Sequence, residues 1–200
     1  MHTYTFLLDT YATERLKTLS VWSHFDDDDL GFRPEPRART PLEQMVHQCV
    51  SEDTWMQRML GVDAGLPPLP ASESKLGFLE HYAEASERRL ERMLAQPAEW
   101  FAEEIRFFDV ARSRAWVLTR RIAHSAHHRG QLTTLLRLLG RSLYSTYGPT
   151  ADTGGLFQQG APVIYRYDSV AALLRAERQG GAKLPPLPGP RSGPPTERPG

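Results

Sequence analysis

Ile122-Ala123-His124-Ser125-Ala126-His127-His128-Arg129-Gly130-Gln131-Leu132 lies inside a long helical pattern and holds three of the chain's seven histidines. Residues four apart on an α-helix project about 40° apart, so His124 and His128 can offer two imidazoles to one cation from a rigid support. A divalent transition metal is the natural partner for such a pair. With His124 at zero on a helical wheel, Val117, His128, Leu135 and Leu139 fall within about 60° of it, while His127 lies on the other flank and is the poorer ligand candidate. His124 and His128 therefore head towards the packed side. A metal on one ring nitrogen and a hydrogen bond at the other would satisfy an imidazole held there. The same spacing admits a plainer reading, in which the three rings form a solvated or hydrogen-bonded polar patch without an ion.

Working outward, this helix reads from near Ala111 to Leu139 with Gly140 as its terminator. Upstream, Trp100 to Val110 is ambiguous between a short extended segment and a frayed helical start. A first amphipathic helix spans Tyr4 to Trp22 on the spacing of Phe6, Leu7, Tyr11, Leu16, Leu19 and Val21. The aspartates 26–29, with Gly31, Pro34 and Pro36, then read as a solvated turn, because they lack the alternating ligands and closing glutamate of a calcium loop. A second helix runs from Pro41 to about Leu60, with Thr40 and Glu43 forming a capping box. Its stripe is Leu42, Met45, Val46, Cys49, Met56 and Leu60; His47 sits off that stripe with Glu43, Val50, Ser51 and Thr54 and reads as exposed or half-buried. Ser72 is the expected cap of a third helix carrying Leu76, Leu79, Tyr82, Ala83, Ser86, Leu90, Met93 and Leu94, with Pro97 as its stop. Beyond Gly140 a loop-rich segment leads to a short fifth helix capped by Asp168. The fold class is all-α: a four-helix bundle, with residues 1–180 as one domain and 181–200 as a proline-rich flexible tail.

Composition narrows the functional classes. Acidic and basic residues number 24 each, so no net charge draws the chain towards nucleic acid or anionic lipid. One cysteine, Cys49, excludes an intramolecular disulfide and a cysteine cage for zinc, leaving histidine, carboxylate or water as ligands. No leader and no run of about eighteen apolar residues is evident, which makes a cytoplasmic protein without a membrane partner the expectation.

The isolated His47 in His47-Gln48-Cys49-Val50-Ser51-Glu52-Asp53-Thr54-Trp55, followed by the His-x-x-x-His-Arg-Gly-Gln of His124 to Gln131, resembles the DinB/YfiT-like superfamily. The resemblance covers residues 4–142 and extends more loosely to 178. It implies a bundle whose second and fourth helices supply three metal ligands, His47, His124 and His128, to zinc or nickel. Helical periodicity alone does not select His47. The resemblance further implies a homodimer and metal-assisted chemistry on a small molecule, either transfer using a low-molecular-weight thiol such as bacillithiol or mycothiol, or hydrolysis. Three imidazoles leave a coordination position open, as catalytic zinc requires.

The remaining candidates stay open on sequence. Glu52, Asp53 and Asp109 could serve as acid or base, or be surface charges or caps. Arg129 could bind an anionic substrate or pair with a carboxylate, Gly130 is expected to allow close helix packing, and Gln131 to hydrogen-bond a ligand or neighbour. Cys49 reads as a buried core thiol, and Trp55 and Trp116 as core or interface residues. Two classes of function follow: a metal-dependent enzyme, or a non-catalytic, stress-associated dimeric bundle whose ion or histidines serve stability or partner binding.

Overall fold

A computed structural model describes residues 3–182, 184 and 186–190. Four long helices dominate: α1 (Thr5–Trp22), α2 (Pro41–Thr54), α3 (Lys75–Leu94) and, after a short α4 (Ala98–Ala102) and the strands β1 (Glu104–Phe107) and β2 (Val110–Ser113), α5 (Arg114–Leu138). A last helix, α6 (Val170–Glu177), closes the described architecture. α1 packs along both α3 and α5, α2 lies against α5, and α6 rests across α1 and α3. No helix among the described residues is long and apolar enough to cross a membrane.

The local signals at α2 act as expected. Thr40 Oγ1 accepts from the Glu43 N–H at 3.1 Å, Glu43 Oε2 accepts from the Thr40 N–H at 2.9 Å, and Pro41 opens the helix. After Thr54 the backbone widens into a π turn, Trp55–Met59. That turn inserts a residue into the helical register, a device frequent at functional sites. Met56 and Leu60 still reach the core, while the Trp55 ring stacks on that of His124.

Several boundaries differ from the sequence reading. α3 is capped by Ser74, whose Oγ accepts from the Gly77 N–H at 3.1 Å, and not by Ser72. The Ser72 carbonyl instead lies against Gly77, where a Cβ would stand 2.1 Å away. Pro97 does not merely stop α3; it precedes α4. The ambiguous stretch is an antiparallel hairpin pairing Glu104 with Ser113 and Phe107 with Val110, so α5 starts three residues after Ala111, capped by Ser113. Ser169, not Asp168, caps α6. Gly140 ends α5 in the left-handed conformation, φ 67°, as its position predicted.

The aspartate run is more than a solvated turn. It forms a 3₁₀ turn in which Asp27 Oδ1 accepts the Lys75 N–H at 2.6 Å, adding to the start of α3. Asp29 is buried and accepts two bonds from Arg141, at 2.9 and 2.8 Å.

The core has two apolar layers. One gathers Leu19, Trp22, Phe25, Met45, Phe78, Leu79, Leu132 and Leu136; the other gathers Leu7, Leu8, Met56, Leu90, Met93, Phe101, Val117 and Leu118. Between them lies a charged layer. Glu52, fully buried, accepts from the hydroxyls of Tyr11 at 2.6 Å and Tyr82 at 2.9 Å and faces Arg89 and Arg121, each at 3.6 Å. Burial drives both tyrosines' pKa values far upward, with Glu52's negative charge next in effect, so both remain donors. α1 and α5 bury further charge that apolar periodicity does not announce: Arg121 in this layer, and Glu14, Arg15 and Arg129 outside it, in the Glu14–Arg129 pair and in bonds from Arg15 to Ser86 and Glu87. Leu143, Tyr144 and Tyr167 of the loop-rich segment are buried, whereas Tyr147 is largely exposed. Of the proline-rich end, residues 186–190 run without helix or strand, and the Gly189 N–H donates to the Asp152 carbonyl at 2.8 Å; Lys183, Pro185 and 191–200 lie outside the described residues.

Candidate metal centre

His47 on α2 and His124 and His128 on α5 converge: one ring nitrogen from each lies within 4.8 Å of the others. His124 and His128 bring their Nε2 atoms to 3.3 Å. Two nitrogens bound at about 2.0–2.1 Å to one tetrahedral ion stand about 3.3 Å apart, so this pair already has the separation a shared ion needs. The His47 ring closes the third side, its centroid 4.6 Å from that of His128 and 5.4 Å from that of His124.

The neighbouring amides decide the tautomer of His128. Its Nδ1 faces Gln44 Oε1 at 2.8 Å and Gln131 Oε1 at 3.0 Å, both acceptors, so the Nδ1–H donates and Nε2 carries its lone pair inward. Gln44 Nε2 in turn donates to Gln131 Oε1 at 2.8 Å, completing the outer support that ligating histidines typically have. His124 is held differently. Its buried Nδ1 has no hydrogen-bond partner among the described residues, and its ring stacks on the Trp55 indole at 5.5 Å and 29°.

Electrostatics keep the rings neutral. Burial, then Arg121 and the other histidines, pulls the pKa of His124 down to about 3. Burial, then the positive form of His47, pulls His128 to about 4. His47 is also lowered, by burial first and then by Arg39 and Arg121. At neutral pH no proton competes with a cation for these lone pairs.

His127 is exposed and outside the cluster, accepting from Gln131 Nε2 at 3.0 Å. Glu52 is neither a surface charge nor a cap but the hub of the buried layer; Asp53 pairs with Arg89 at 3.0 Å, and Asp109 is exposed at the hairpin tip. Arg129 is buried on α5 and committed to Glu14, Thr18 and Tyr147. Gly130 faces open space and permits no close approach. Cys49 is a buried core thiol whose pKa burial drives strongly upward. Trp116 is 41% exposed, and Trp55 is a wall of the site rather than plain core. Sequence reasoning missed Gln44. Its position one turn before His47, on the same helix face, was the available signal.

The fold and site define a helical bundle whose second and last long helices bring together three histidines that could hold a metal ion. The family description "DinB family" matches residues 1–157, and the chain belongs to the DinB family. Among solved structures, a DinB-like protein from Bacillus cereus superposes with a TM-score of 0.61 at 20% identity, over 70% of this chain and 95% of the other. A DinB-like protein from Bacillus subtilis gives 0.56 at 16% identity, over 68% of this chain and 94% of the other. These likenesses establish the shared fold. None of the curated proteins matches the sequence.

Proposed function

We propose that this chain is a divalent-metal-dependent enzyme acting on a small molecule, with zinc or nickel held by His47, His124 and His128, and that its reaction is thiol transfer or hydrolysis. The observation that carries the reading is the pair of imidazole nitrogens at 3.3 Å, one of them fixed as a lone-pair donor by two glutamines. A divalent ion on three imidazoles supplies a Lewis acid with an open position, able to make a water or thiol nucleophilic near neutral pH. The chain's own residues do the rest. Gln44 and Gln131 fix the His128 ring, Trp55 restricts the rotation of His124, and burial keeps both rings unprotonated.

Either nucleophile suits the site, since the open position of such an ion can activate water or a thiol. In this reading the protein is a cytoplasmic homodimer.

Elemental analysis of untagged protein, followed by assays with a panel of low-molecular-weight thiols and electrophiles and His124→Ala as control, tests the proposal. Near-stoichiometric metal with thiol-transfer or hydrolytic turnover that the variant loses is the expected result. Folded protein that takes up no divalent ion refutes it. Metal whose removal lowers the melting temperature, with no turnover on any substrate, would place the chain with the non-catalytic bundles.

A further inference from the structure

Phe108 stands in a conformation that its residue type disfavours. Phe107 pairs with Val110, which leaves Phe108 and Asp109 as the two turn residues between β1 and β2. The φ of Phe108 is 52°. Glycine or asparagine is the usual occupant where a tight hairpin asks for a positive φ, because a β-carbon is strained there. The Arg106 Nε–H, donating to the Phe108 carbonyl at 2.8 Å, holds the turn as it is. Burial does not offset the strain: the Phe108 ring is 62% exposed, whereas that of Phe107 beside it fills the core. Strain that a fold keeps without using it in packing concentrates at ligand-contacting residues.

The exposed ring leads to the histidines. Its centroid lies 6.3 Å from that of Trp55, and Trp55 stacks on His124 at 5.5 Å. Laid end to end, those two separations bring the Phe108 ring within about 12 Å of the His124 ring. Trp55 opens the π turn that follows α2, two helical turns beyond His47, a second local irregularity on the same short path. His47 and His124 are only half-buried, so the cluster is open to a small molecule from solvent. An apolar ring in contact with Phe108 stands about 4.5–7 Å from it, centroid to centroid. The remaining gap to the cluster is one that an arm of a few bonds crosses.

We infer that Phe108 is a specificity-determining contact: the substrate is a small molecule carrying an apolar ring a few bonds from its reactive atom, with the ring against Phe108 beside Trp55 and the reactive atom at the three histidines. The inference rests on that cluster being the reaction centre, as proposed above.

The experiment uses the full chain, zinc-loaded and metal-free, with three probes: acetohydroxamate, a metal-ligating head without an arm; phenylacetohydroxamate, the same head with a ring; and benzyl alcohol, the ring without a strong ligating head. Affinity is measured by calorimetry, metal content by elemental analysis and self-association by sedimentation on the same samples. Zinc-loaded protein is expected to bind phenylacetohydroxamate at least about ten-fold more tightly than acetohydroxamate, a difference of about 1.4 kcal/mol. Phe108→Gly, which suits the backbone and leaves the histidines in place, should cut that preference to about two-fold or less without weakening acetohydroxamate. Phe108→Tyr, which keeps the ring, should retain it. Equal affinities for the two hydroxamates in the wild type, or a preference that survives Phe108→Gly, would overturn the inference. A surviving preference in a variant that has turned from dimer to monomer would give the ring to a second copy of the chain instead. Protein that takes up neither zinc nor nickel would refute the metal reading, and benzyl alcohol then decides the contact: Phe108→Gly weakening it supports the ring's role, and unchanged binding removes it.

Discussion

Replacing Glu52 by glutamine isolates charge from shape at the centre of the bundle. Glutamine can keep contacts to the Tyr11 and Tyr82 hydroxyls, which donate to Glu52 at 2.6 and 2.9 Å, because one amide group can accept and the other donate. What disappears is the counter-charge to two guanidiniums. Arg89 retains Asp53 at 3.0 Å. Arg121, 1% exposed, retains the hydroxyls of Ser51 and Ser125, at 2.9 and 3.2 Å, and the face of Trp55 at 5.7 Å, but no other carboxylate among the described residues. Breaking a buried ion pair while leaving one charge uncompensated costs about 3–5 kcal/mol, against a total stability of about 5–15 kcal/mol for an ordinary domain. Glu52→Gln should therefore lower the urea midpoint sharply with little change in slope. Adding Arg121→Met, which removes the stranded charge and keeps much of the volume, should recover a large part of the loss. Denaturant titrations of the wild type, both single variants and the double variant close the cycle. A cost under about 1 kcal/mol for Glu52→Gln, or no recovery in the double variant, would show that the buried layer is not held by these charges.

Three further outcomes follow from the same geometry. His128→Ala should abolish stoichiometric binding of zinc or nickel while His127→Ala leaves it intact, read by elemental analysis after dialysis; equal loss in both would move the site. Gln44→Ala should weaken metal affinity about 10–100-fold, the usual effect of removing a ligand's outer hydrogen bond, and a chelator competition that finds no change would contradict the tautomer assigned to His128. His24, whose pKa falls to about 4 through burial first and Arg166 next, carries a pH signature. The unfolded chain binds a proton there as pH drops through about 6.5, the folded one only near 4, so stability should decline across that window by about 3 kcal/mol and level off below it. The wild-type curve minus that of His24→Leu, both measured with chelator present, should show this slope; a flat difference would exclude it.

The four long helices were legible because their signals are local: the Thr40–Glu43 box, the spacing along Lys75–Leu94, and Gly140 past the end of α5. The hairpin was not. Its strands are four residues each, too short for alternation to stand out from a helical start. At the site, His124 and His128 follow from spacing on one helix, whereas His47 came from family resemblance, because its helix presents it away from the apolar stripe. Nothing local announces Glu52 as buried. Its burial depends on two tyrosines and two arginines contributed by three other helices, a convergence that exists only after packing. Gly130 was read towards close packing although it faces open space, whereas for Arg129 the carboxylate alternative is the one realised, in its pair with Glu14.

The hairpin is anchored by Phe107 in the core, whereas its turn, Phe108 and Asp109, is exposed and supplies neither a histidine of the cluster nor a member of the buried charged layer. Tolerance to change is thereby unevenly spread along the chain: the helices that carry the three histidines and Glu52 are held by burial, while the turn answers mainly to its own backbone geometry. A lineage carrying this architecture could vary those two turn residues while inheriting the histidine cluster intact.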